Sequence, residues 1–143
     1  MSITHIVCPV DGSDGSRTAL ELALEIAQRH DAEVTVLQVI EEAGPLPTYD
    51  QRPPEGLDRV QWLADRRFEP LQPPLEQTAV RWRRRIEEGY AAEEICRVAA
   101  DERADMIVIG SRGLSPAGRL VLGSVSDRVV HHAPCHVAVA RES

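Results

Sequence analysis

The sequence contains no lysine; all 16 of its basic residues are arginine. That absence excludes three chemistries. A Walker-type phosphate loop needs a lysine to reach the β- and γ-phosphates. A protein kinase needs its strand lysine, and Schiff-base catalysis needs an amine. Asparagine is missing too; both residues have A-rich codons, so a GC-rich genome and adaptation to high salt are the two explanations. Positive charge is scarce against 23 acidic residues, and the net charge of −7 argues against general binding to nucleic acid or to anionic membrane. No apolar run approaches the roughly 20 residues that span a bilayer. No basic start leads into an apolar segment, which predicts no signal peptide. No Gly-x-Ser-x-Gly elbow is present, so nucleophilic catalysis has no support. Cys8, Cys96 and Cys135 are odd in number and widely spaced in apolar surroundings, which predicts reduced, buried thiols and a cytoplasmic protein.

What remains is a chain of 143 residues, the size of one domain, with no internal repeat and no visible boundary between residues 1 and 143. It is organised around residues 107–126. The apolar run Ile107-Val108-Ile109 reads as a buried strand and stops at Gly110. A loop follows, with glycines at 113, 118 and 123, and Ser124 and Ser126 sit where a helix would begin. Strand, glycine loop and helix start form the layout of a phosphate cradle. Glycines let backbone N–H groups approach an anion, and the helix N-terminus adds partial positive charge.

Apolar periodicity predicts strands over 3–10, 33–40, 79–86, 105–109 and 136–140. It predicts helices over 16–29, 57–77, 91–103 and 125–132. Residues 41–56 hold Pro45, Pro47, Pro53 and Pro54 and read as a loop, either folded over a ligand or on the surface. In the third strand, Val80, Trp82 and Arg84 would share one face and Arg81, Arg83 and Arg85 the other. That pattern fits an RNA surface or the charged guard of an edge strand. Alternating strands and helices predict a single-domain α/β fold: an open five-stranded parallel sheet, order 3-2-1-4-5, with helices on both faces. Ligands bind such sheets where the strand order reverses, here between the first and fourth strands. The fold would bring Asp11 and the glycine loop together there.

The residues then take candidate roles. Backbone N–H groups of Gly113, Gly123, Ser124 and Val125 would hold phosphates, and the hydroxyls of Ser124 and Ser126 would add donors. Arg112 or Arg119 would supply counter-charge. Asp11 would accept hydrogen bonds from a nucleoside or help hold a divalent metal, and Val39 would wall the base. His131, His132, Cys135 and His136 have metal-type side chains, but Pro134 separates a helix end from a strand start among them.

The spacing Gly110-x2-Gly113-x9-Gly123-Ser124 resembles the ATP-binding signature of the universal stress protein family. Val7-Cys8-Pro9-Val10-Asp11-Gly12-Ser13 resembles the family's first strand and turn, and Ala133-Pro134-Cys135-His136-Val137-Ala138-Val139 its last strand. The resemblance covers nearly the whole chain and implies an adenine nucleotide alpha hydrolase-like fold. It implies nucleoside contacts from Pro9, Val10, Asp11 and Val39. It implies ribose and phosphate contacts from Ile109, Gly110, Arg112, Gly113, Gly123, Ser124, Val125 and Ser126. The implied ligand is ATP, with AMP or ADP as alternatives, together with Mg²⁺ or Mn²⁺. The implied protein is a cytoplasmic homodimer that regulates or senses stress with little turnover, through a protein target the sequence does not name. The last strand would pair with its copy. The rivals are a slow ATPase or nucleotidyl-type enzyme on the same fold, and an interaction module that binds no nucleotide.

Overall fold

The computed structural model describes residues 2–42, 52–111 and 122–141. Five parallel strands form one sheet in the order β3-β2-β1-β4-β5. They are β1 (His5–Pro9), β2 (Glu33–Ile40), β3 (Trp82–Glu88), β4 (Met106–Gly110) and β5 (His136–Ala140). The helices are α1 (Asp14–His30), α2 (Arg59–Phe68), α3 (Gln72–Glu76), α4 (Ala91–Asp101) and α5 (Ser124–His132), with a 3₁₀ turn at Glu69–Leu71.

The pleat sends alternate strand residues to two cores. Ile6, Cys8, Val34, Val36 and Val108 pack against Ala19, Leu20, Ala23, Leu24 and Ala27 of α1 and against Phe68, Leu71 and Leu75. Val7, Leu37, Ile107 and Ile109 pack against Ile95, Val98 and Ala99 of α4 and Val129 of α5. Strands covered on both sides read as continuous apolar runs. Cys8 is fully buried, and burial pushes its thiol up to about 12. Cys96 and Cys135 are only half-buried, against the expectation of three buried thiols, and partial burial also raises both.

Two elements depart from the sequence reading. The helix expected over 57–77 is broken into α2, the 3₁₀ turn and α3. Pro70, Pro73 and Pro74 lack an N–H and cannot continue a helix from within, but each fits a first turn, where no intrahelical N–H bond is made. Asp58 opens α2 by accepting from the Gln61 N–H at 2.8 Å. The third strand begins at Trp82 rather than Ala79 and runs to Glu88, because it pairs along β2 from Val34↔Trp82 to Ile40↔Glu88.

The arginines of this edge strand are neutralised in place. Arg83 and Arg85 reach Glu102 on the α4 side at 2.9 and 2.7 Å. Arg84 faces the α2 side, where it meets Asp65 at 2.9 Å and lies 4.3 Å from the Phe68 ring centroid. Arg81, just before the strand, lies 3.9 Å from Asp31. The alternation is the one expected, and carboxylates occupy the cations that an RNA surface would have to present.

Candidate functional site

The site is built from chain turns at the carboxyl ends of the strands. After β1 the chain turns through Asp11-Gly12-Ser13. Gly12 has φ +86°, and a Cβ there would lie 2.6 Å from the carbonyl oxygen of Arg67. The turn therefore needs glycine for both conformation and space. Ser13 caps α1 by accepting from the Ser16 N–H at 3.2 Å, and its own N–H donates to Asp11 Oδ1 at 2.9 Å. Burial works to raise the Asp11 carboxyl, but hydrogen bonding from Ser13 and Ser16 outweighs it and holds the group below the usual carboxylate range.

After β4 a second set of contacts closes the site. A Cβ on Gly110 would lie 2.6 Å from the Gly15 carbonyl oxygen, so α1 packs directly on the end of this strand. The Ser126 hydroxyl donates to the Gly110 carbonyl at 2.7 Å and pins the start of α5 to β4. Gly123 is the N-cap of α5 and brings no side chain to cap it. The first intrahelical bond runs from the Asp127 N–H to the Gly123 carbonyl. Ser124, Val125 and Ser126 thus have N–H groups with no intrahelical acceptor, at the positive end of a helix dipole.

These segments enclose a cavity of about 370 Å³, within the size range of small-molecule sites. The end of β1 supplies Pro9, Val10 and Asp11, and α1 supplies Ser13, Asp14, Gly15 and Ser16. Leu37 and Val39 come from β2, and Ala91 and Ile95 from α4. Ile109, Gly110 and Ser111 line it from β4, and Gly123, Val125 and Ser126 from α5. The carboxyl ends of β1 and β4 therefore share one cavity, at the reversal of strand order. Its β2 side is an apolar wall; its α5 side presents backbone donors.

Of the residues predicted for the site, Pro9, Val10, Asp11, Val39, Ile109, Gly110, Gly123, Val125 and Ser126 line this cavity. Ser124 opens α5 and is exposed outside the lining. Arg112, Gly113, Gly118 and Arg119 lie outside the described residues, as does most of the Pro-rich segment. One role is corrected in detail: the Ser126 hydroxyl spends its proton on Gly110 and offers a ligand only its lone pairs. Among the lining residues that the sequence reading missed are Asp14, Ser16, Ala91 and Ile95. The first pair was visible only as helix-start residues, and the second only as the inner face of α4 at i, i+4 spacing.

The model of the universal stress protein family matches residues 2–141. The chain belongs to the universal stress protein family. A universal stress protein of Thermus aquaticus, encoded in the 3′ region of a QAH/OAS sulfhydrylase, is 37% identical over 142 residues, covering 95% of this chain and 97% of the relative. The solved universal stress protein UspA from Lactobacillus plantarum is 30% identical, with a TM-score of 0.75 and 99% of each chain covered. Two further universal stress proteins share the fold at 24% identity. One is in complex with cAMP (TM-score 0.65, all of both chains covered). The other, from Arabidopsis thaliana, has AMP bound (TM-score 0.62, 98% and 92% covered). In this universal stress protein no helix among the described residues is long and apolar enough to cross a membrane.

Proposed function

We propose that the chain binds an adenine nucleotide in this cavity and acts as a regulatory or sensor module of the stress response with little or no turnover. The observation that carries the reading is the convergence of Asp11 and the start of α5 on one apolar-walled cavity. The two parts match the two halves of a nucleotide. Leu37, Val39, Ala91 and Ile95 offer a surface for a base, and the N–H groups of Ser124, Val125 and Ser126 suit phosphate oxygens. Arg112 and Gly113 complete the phosphate side of the proposal. Asp11 and Asp14 flank the cavity; one or two carboxylates are what Mg²⁺ or Mn²⁺ takes from protein when it bridges phosphates. Family members carrying AMP and cAMP fit this class of ligand.

Asp11 supports the low-turnover part of the proposal. A carboxylate held below its usual range by hydrogen bonds is a weak base and a poor activator of water. A bound nucleotide then works by favouring one conformation or partner surface. A cytoplasmic location and a homodimer joined through β5, an edge of the sheet, belong to the same proposal. The test is to denature the purified protein and chromatograph the supernatant. Released ATP, ADP or AMP near one equivalent is expected. A protein that releases none and shows no thermal stabilisation by these nucleotides overturns the reading.

A further inference from the structure

The turn that leads into α4, next to the cavity-lining Ala91, carries an aromatic side chain that stands outside the core. Tyr90 is 73% exposed, more than any other large apolar residue among those described. It occupies the N-cap of α4 yet makes no side-chain hydrogen bond to that helix. Ser, Thr, Asp or Asn there would cap the helix. Tyr90 thus serves neither core nor cap.

Its neighbours fix its place. The Gly89 N–H donates to the Ile40 carbonyl at 3.1 Å and holds this turn against the end of β2. The next residue, Ala91, is cavity wall, and so is Val39 beside Ile40. The Tyr90 backbone therefore lies next to the apolar wall on the β2–β3 side, with its exposed ring outside the lining itself, while α5 begins on the β4 side. Among the described residues no other exposed aromatic adjoins the lining.

We propose that Tyr90 stacks on the base of the bound nucleotide and favours a purine there. The proposal rests on the adenine-nucleotide reading above. A phenol ring offers a flat, rigid face at the cost of two torsions, and the wider purine overlaps it more fully than a pyrimidine does.

The experiment is isothermal titration of AMP, CMP and ribose 5-phosphate into wild type, Tyr90→Ala and Tyr90→Phe. Loss of one base–aromatic stack should weaken AMP about tenfold in Tyr90→Ala and narrow the preference for AMP over CMP. Ribose 5-phosphate has no base and should bind both alike. Tyr90→Phe keeps the ring and should keep the wild-type affinity. Equal AMP affinity in wild type and Tyr90→Ala overturns the proposal, as does an equal loss for ribose 5-phosphate. Failure of the wild type to bind AMP overturns the adenine-nucleotide reading itself, and this proposal with it.

Discussion

Gly110 and Gly123 belong to one sequence motif but answer to different neighbours. Gly110 faces the Gly15 carbonyl, 2.6 Å from where a Cβ would sit. Gly123 has φ −70° and ψ 169°, a backbone any residue adopts. Packing explains the first glycine; for the second, the proposed site asks for room for an anion at the start of α5. Opposite outcomes follow for the two substitutions. Gly110→Ala should cost ~2 kcal/mol through the overpacked strand end and lower Tm in the free protein. Gly123→Val should leave the fold standing and remove the thermal stabilisation by ATP with Mg²⁺. That stabilisation is about 2.7 kcal/mol at 100 times Kd in the wild type. Differential scanning of both variants with and without nucleotide separates these effects. Spacing alone could not separate them, because the approach of α1 to β4 is a tertiary contact between residues remote in sequence. Spacing put Ser126 at the helix start but could not show its bond to Gly110, which the fold alone brings about.

At the scale of elements, β3 shows what an arginine-rich edge needs. Glu102 accepts from Thr35 and His5, and from Arg85, all at 2.7 Å, and from Arg83 at 2.9 Å. Its side chain is only 7% exposed. Burial works to raise this carboxyl, but the four donors together bring it down to about 2 from the ordinary 4.5. A depressed folded-state value means stability that is present above about 4.5 and lost as pH falls toward about 2. The contribution is on the order of 3 kcal/mol at neutral pH. Glu102→Gln should therefore be less stable than wild type at pH 7, with the gap closing through that acid range in urea unfolding. A constant gap would rule out the ionised carboxylate as its source.

The strands were legible because apolar runs ended at Asp11 and Gly110, where the chain must turn. The helix over 57–77 was not. Leu57, Val60, Leu63 and Ala64 carry its period, but Pro70, Pro73 and Pro74 stop each α segment and admit the next. The identity of the arginines' partners was hidden as well, since Asp65 lies on α2 before β3 and Glu102 at the end of α4 after it.

The whole molecule places the candidate cavity at one end of a sheet covered on both faces. β5 leaves an edge whose residues His136 to Val139 are exposed or half-buried, and an unpaired edge of that kind is a template for a second copy. Light scattering should give twice the chain mass; a monomer at every concentration would refute pairing through β5. The order 3-2-1-4-5 joins Asp11 to the start of α5 although more than a hundred residues of chain lie between them. Hydrogen exchange tests that union most directly, by comparing amide protection with and without saturating ATP and Mg²⁺. The account predicts slowed exchange in two remote segments at once, the Asp11–Ser13 turn and the amides of Ser124, Val125 and Ser126. Protection of neither segment, or of one without the other, would contradict it.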